Sequence, residues 1–312
     1  MRLFDCHCDT ISRIYDEGGN LSKNSYHIDL EKASVYKNYV QIFAIWGDSS
    51  SESDMEGRFR AQLKLAKSML NGQNGAPVLC RDAQSLGEAL MRGRCAAFLS
   101  VEGAELLGCS EEVLSFAFSE GVRFVNITWN NKNAIGTPSA YKIVEGLSSE
   151  GKEFVRKMEL LGVVPDVSHL SEQGFFDVAE ITKRPFIASH SNARVLCRHR
   201  RNLTDEQLGV LIKRNCICGI NLYAAFLSDD PDSCTVDTVV NHIEYIASLG
   251  GEHILALGCD FDGCDQLPKG IKTVSDLKKV YEALLRKNYA ESLVDDIFFG
   301  NMYRFVQKRI EA

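Results

Sequence analysis

Short apolar runs recur along the chain, at Leu3–Cys6, Tyr39–Ile45, Ala96–Val101, Val122–Thr128, Val163–Val167, Phe186–Ala188, Ile217–Leu222 and Ile254–Gly258. They are near-continuous rather than alternating, the pattern of parallel strands buried on both faces. Between them lie segments with apolar residues at i, i+3 and i+4 spacing. One holds Phe59, Leu63, Ala66 and Leu70; another runs from Val236 to Ala247; a third holds Leu277, Val280, Tyr281, Leu284 and Leu285. That spacing predicts amphipathic helices, and Thr273 with Asp276 has the form of a capping box before the third. Eight strands separated by helices predict an α/β fold, a (β/α)8 barrel of the TIM type, with residues 1–312 as one domain. The count of eight demotes Pro77–Cys80, a short apolar run that would make a ninth strand. An open doubly wound sheet would alternate in the same way, but no glycine-rich phosphate loop follows any of the runs.

Composition excludes several classes. Hydrophobic residues make up 45% and charged residues 25%, which is ordinary globular composition. A formal charge of −7 argues against a nucleic-acid partner, which needs a basic face. No apolar stretch reaches the ~18 residues needed to span a bilayer, so no membrane partner is expected. The opening MRLFDCHCDT lacks the apolar core of an export signal. Eleven cysteines, an odd number, then read as reduced thiols in a cytoplasmic protein rather than a disulfide framework. The close pairs Cys6/Cys8 and Cys216/Cys218 have strand spacing, not the spacing of a cysteine zinc site.

Chemistry collects at the C-terminal ends of the predicted strands. The first run ends in His7-Cys8-Asp9, where alternation puts His7 and Asp9 on one face. The third ends at Glu102, the fifth at His169, the sixth at His190 and the eighth in Asp260 and Asp262. Each alone has an ordinary explanation: a local hydrogen bond, a loop charge, a turn beside Gly263. Together they converge on the barrel mouth where active sites are built. His27, His199, His242 and His253 have no such placement and read as surface or structural residues.

Three histidines and two carboxylates exceed the ligand set of one catalytic zinc. Two metals need a bridge, and Glu102 lies on a strand between the others. One ion would take His7, Asp9 and Glu102, the other Glu102, His169 and His190, with a hydroxide shared between them. Two divalent cations against Asp9, Glu102, Asp260 and hydroxide leave the centre neutral, so a substrate carboxylate would need its own cation.

The ordered set D-x-H-x-D at residues 5–9, VEG at 101–103, D-x-SH at 166–169, SHSN at 189–192, RRN at 200–202 and G-x-DFDG at 258–263 resembles the renal or membrane dipeptidase family, zinc peptidases of the amidohydrolase superfamily. The likeness runs from Asp5 to the closing run Gly300–Phe305. It implies a zinc dipeptidase with two Zn2+ per chain bridged by Glu102 and a hydroxide, small dipeptides as substrates, tolerance of a D-residue at the C-terminal position, and often a homodimer. It assigns Asp260 as the proton-carrying acid/base, although spacing leaves Asp262 as an alternative. It matches Arg201 to the clamp on the substrate's terminal carboxylate and Tyr223 to a substrate contact. It departs at Trp129, where mammalian members have a histidine that polarises the scissile carbonyl; Asn130 is the neighbouring neutral donor. The animal members are exported and lipid-anchored; a bacterial-type cytoplasmic member fits this chain better.

Two other readings compete. A lactonase or phosphotriesterase of the same superfamily would bridge its metals with a carboxylated lysine, for which Lys132 is the nearest candidate. A binding protein could retain the barrel without catalysis.

Overall fold

A computed structural model describes residues 1–142 and 145–310. Nine strands are present among them: β1 (Arg2–Cys8), β2 (Asn38–Trp46), β3 (Val78–Leu79), β4 (Ala96–Glu102), β5 (Val122–Asn126), β6 (Val164–Asp166), β7 (Ile187–Ala188), β8 (Ile217–Ile220) and β9 (Leu255–Leu257). Eight of them close a parallel barrel in the order β1-β2-β4-β5-β6-β7-β8-β9, with β9 returning to β1. The fold is the expected (β/α)8 barrel.

The demoted run does form a strand, but not a stave of the barrel. β3 pairs with β4 only through Val78–Ala96 and Leu79–Ala97, and β5 takes over the same edge of β4 from Leu99 onward. Two paired residues give β3 too little length to share in closure.

The interior and exterior of the barrel separate by alternation. Phe4, Val40, Ile42, Phe98, Phe124, Val164, Ile187 and Ala256 form one buried cluster, joined by Met302, Phe305 and Val306 of the helix Asn301–Arg309. That helix therefore covers the end of the barrel at which the strands begin. The opposite residues, including Leu3, Tyr39, Phe43, Leu99, Val101 and Val125, pack against the helices Met55–Met69, Glu111–Glu120 and Ser149–Leu161. The expected capping box is present: Thr273 and Asp276 bond reciprocally before the helix Lys278–Arg286.

β1 breaks strict alternation. Asp5 pairs with Gln41 and Cys8 pairs with Phe43, so β1 spends three steps where β2 spends two. This is a β-bulge, one extra residue that re-aims the side chains around it. Below it Phe4 and Cys6 belong to the interior cluster; above it Cys8 belongs to the outer one and His7 turns inward. Alternation alone would send Cys6, Cys8 and Cys259 away from the site. Cys8 and Cys259 do pack on the outer side, but the bulge leaves Cys6 inside the barrel. All eleven cysteines are free thiols.

Candidate metal centre and active site

The strand registers level the site. Trp46 is opposite Glu102, Glu102 opposite Asn126, and Asn126 opposite Asp166, so these strand ends stop at one height. His7, Asp9, Glu102, His169, His190 and Asp260 all reach this rim and all are buried. His7, Glu102 and His190 place ligand atoms within 4.8 Å of one another, as do His7, Asp9 and Asp260.

Glu102 stands between two sets of histidines. Its Oε2 is 3.6 Å from His7 Nε2. Its Oε1 is 2.8 Å from His169 Nε2 and 3.4 Å from His190 Nε2. Asp9 Oδ2 lies 3.3 Å from His7 Nε2, and Asp260 Oδ1 lies 3.8 Å from it. The five residues expected as ligands are therefore brought together, with each oxygen of the Glu102 carboxylate facing a different group.

Electrostatics fits a cationic occupant. Burial, then repulsion from Asp9, raises Glu102 to about 8. Burial raises Asp260 to about 6, with Asp9 adding to it against the pull of His7. Burial disfavours charge on His7, but Glu102 and Asp9 overcome it and hold its pKa well above the usual histidine value. Burial first, then nearby cations including Arg201, keeps His169 and His190 well below that value, as neutral rings with a lone pair to offer. His7 Nδ1 and Asp9 Oδ1 are buried without a protein partner. Converging carboxylates and neutral imidazoles are a donor set for divalent metal.

The loops hold this set by force of context. His169 (φ 72°), Asp260 (φ 58°) and Asp262 (φ 69°) all adopt left-handed backbone, which costs a non-glycine residue of order 1–3 kcal/mol. Ser139 N–H donates to His169 O at 2.7 Å. Asp166 Oδ1 accepts from the N–H groups of Ser168 and Ser189, both at 3.0 Å, tying the loops that carry His169 and His190. Asp5 Oδ1 accepts from Cys259 N at 2.9 Å and joins β1 to the Asp260 turn. Gly263 is required here: a Cβ on it would lie 2.2 Å from Asp9 Oδ2 and 2.5 Å from Asp260 Oδ1.

The two aspartates of DFDG separate. Asp260 Oδ2 accepts from Asn221 Nδ2 at 2.9 Å, leaving Oδ1 toward the cluster. Asp262 is bonded elsewhere, accepting from Thr10 Oγ1 at 2.5 Å and from His27 N at 2.8 Å, with Arg13 at 3.6 Å. It binds the loop of His27 and the helix Thr10–Glu17 to the β9 turn.

A cavity of about 320 Å³ opens over the centre, at the small end of the range for ligand pockets. Tyr223, Trp129 and Asn130 line it, as do Phe226, Trp46, Arg13, Asp16 and Glu17. Trp129 meets Trp46 edge-on, with ring centroids 5.0 Å apart. Asn130 also turns its Oδ1 to His169 Nδ1 at 2.9 Å. Arg201 is buried, with its guanidinium 5.3 Å from the centre of the Phe226 ring, a distal nitrogen 3.5 Å from His190 O, and Nε without a protein partner. Lys132 is half-exposed and paired with Glu145, so it is not placed to bridge metals.

Sequence reasoning missed Asn221, Trp46 and the acidic and basic residues of the helix Thr10–Glu17. Asn221 stands at the end of β8 beside Tyr223, and strand-end position alone could have flagged it. His242, expected to be a surface or structural residue, is buried and bonds Ala193 N and Leu227 O within the core.

Barrel and site together define a metal-dependent hydrolase. The chain belongs to the membrane dipeptidase family, peptidase family M19, whose profile matches residues 1–312. It is 29% identical over 294 residues to Dipeptidase tcpJ of Claviceps purpurea (strain 20.1), spanning 90% of this chain and 69% of that protein. It is 31% identical over 255 residues to an uncharacterized protein in the pqqA 5' region of Klebsiella pneumoniae, spanning 79% of this chain and 94% of that one. Among solved structures, the dipeptidase AC, a metallo peptidase of family M19, superposes with a TM-score of 0.91 at 25% identity, covering 100% of this chain and 99% of that one. A metallo peptidase from Rhodobacter sphaeroides, liganded with a phosphinate mimic of the dipeptide L-Ala-D-Ala, superposes at 0.88 with 24% identity over 99% of both chains. No helix among the described residues is long and apolar enough to cross a membrane.

Proposed function

We propose that this chain hydrolyses free dipeptides, accepts a D-residue at the C-terminal position, and works with two zinc ions. The observation that carries the reading is Glu102, whose two oxygens face His7 on one side and His169 with His190 on the other. His7, Asp9 and Glu102 would hold one ion; Glu102, His169 and His190 the other. Such ions, when bound, lower the pKa of a water toward neutrality and polarise a carbonyl.

The remaining work falls to the chain's own side chains. Asp260, held by Asn221 and raised to about 6, takes the proton of the attacking water and delivers it to the departing amine. Arg201 pairs with the substrate's terminal carboxylate through a guanidinium whose Nε has no protein partner. Tyr223, Trp129 and Asn130 line the cavity that keeps the dipeptide in place and limits bulk water. The mimic of L-Ala-D-Ala bound by the Rhodobacter sphaeroides protein supports the C-terminal D-residue. Free buried thiols suit the reducing cytoplasm.

The test is a dipeptide panel on zinc-loaded protein, including L-Ala-D-Ala and L-Ala-L-Ala, beside the same dipeptides amidated at the C-terminus. Free dipeptides are expected to turn over and amidated ones to do so poorly. Arg201→Ala should raise KM for free dipeptides by about 10- to 150-fold, the worth of one charge-assisted hydrogen bond. The amidated substrates should change little. Equal losses on both substrate types would remove Arg201 from the clamp, and no turnover of any dipeptide would remove the activity itself.

A further inference from the structure

We infer that Asn130 is a positioning residue for the metal centre, whose side-chain carbonyl fixes the tautomer and tilt of His169 so that Nε2 offers its lone pair to a divalent ion. The inference rests on the reading of His169 as a ligand, and it concerns the loop in which this chain departs from the mammalian pattern.

The three histidines differ in what their second ring nitrogen meets. His190 Nδ1 lies 2.7 Å from Ser189 Oγ, a hydroxyl that can donate or accept, so that contact sets no tautomer. His7 Nδ1 has no protein partner. His169 Nδ1 lies 2.9 Å from Asn130 Oδ1, an oxygen that can only accept. The proton of a neutral His169 ring is thereby drawn to Nδ1. Its Nε2 is left bare at the point where it faces Glu102 Oε1 at 2.8 Å and His190 Nε2 at 2.9 Å. Two ring nitrogens so close cannot both carry protons directed at each other. The opposite tautomer would aim a hydrogen at Glu102 and leave no lone pair for an ion.

The backbone of His169 needs outside support as well. Its left-handed conformation is uncommon for histidine. The segment after β5 supplies a support at each end of the residue: Asn130 holds the ring, and Ser139 N–H holds the carbonyl. Trp129 precedes Asn130 and puts its ring 6.4 Å from that of His169. The loop thus serves the metal side of the cavity through Asn130, while Trp129 lines the substrate side. Partners of this kind commonly carry about 10–100-fold in metal affinity.

The experiment is zinc titration of the full chain after chelator stripping, with a chromophoric chelator as competitor. His169→Ala serves as the control and should reduce the ions bound from two to one; two ions retained in that variant would overturn the proposal together with the ligand reading. Asn130→Ala should bind one ion at wild-type affinity and the other about 10–100-fold more weakly. Asn130→Asp should restore that affinity, because a carboxylate accepts the same ring proton. A merely structural role would weaken both ions alike or leave Asp as poor as Ala. Either of those results, or wild-type binding of both ions by Asn130→Ala, would overturn the proposal while leaving the dipeptidase reading intact.

Discussion

Asp260→Asn is expected to keep both metals and lose about 10²–10⁴-fold in kcat, the usual worth of one general acid–base group. The amide is nearly isosteric with the carboxylate, and its oxygen can still accept from Asn221 Nδ2, now 2.9 Å from Oδ2. Packing and the strained turn around Asp260 should therefore survive. What is lost is the ability to take up and release a proton. Asp262→Asn makes the opposite case. Its carboxylate is held by Thr10, the His27 backbone and Arg13, and it belongs to neither group of converging ligand atoms. Its neutralisation should lower thermal stability with a smaller effect on kcat of the folded, metallated protein. Metal content and kcat measured for both variants decide the matter. Loss of metal in Asp260→Asn, or loss of turnover confined to Asp262→Asn, would show that the roles are exchanged.

Glu102→Gln should have the widest effect of any ligand substitution, because it removes half of a bridge. The amide retains one oxygen, so one of the two histidine groups would face an NH2 that repels a cation. Asp9 and His7 on one side, or His169 and His190 on the other, would be left with two ligands, fewer than the three protein ligands of a usual catalytic zinc. Elemental analysis should fall from two ions per chain to one or fewer. Thermal stability in excess zinc should fall too, since a ligand at 100 times its Kd stabilises the folded state by about 2.7 kcal/mol. His190→Ala, by contrast, should empty a single position. Two ions retained in Glu102→Gln would contradict a bridging role.

The barrel was legible because parallel strands buried on both sides are largely apolar, and each stave carries an apolar run despite interruptions such as Asp5, Gln41 and Arg123. Strand limits were less so: the run Val122–Thr128 pairs only as far as Asn126, and Phe186–Ala188 pairs only from Ile187. Their outer residues leave the ladder to carry loops. The proposed ligands were legible because each stands within three residues beyond the end of an apolar run. What could not be read is what depends on partners distant in sequence. Asn130 meets a ring 39 residues on, and Asn221 meets a carboxylate 39 residues on. Asp262 looks equivalent to Asp260 by spacing, and only the fold reveals that Thr10 and His27 claim it. Lys132 stood near the right strand end, yet its side chain runs to the surface.

The bulge in β1 gives the first ligand pair a dependence on residue count. Because Asp5 and Cys8 straddle three steps against two in β2, the inward aim of His7 depends on one surplus residue rather than on the identity of any neighbour. A strand of the same sequence held to strict alternation from Phe4 would keep every donor present by name and still turn His7 toward the helices. Transplanting this centre onto another eight-stranded scaffold therefore requires copying a length as well as a list of residues.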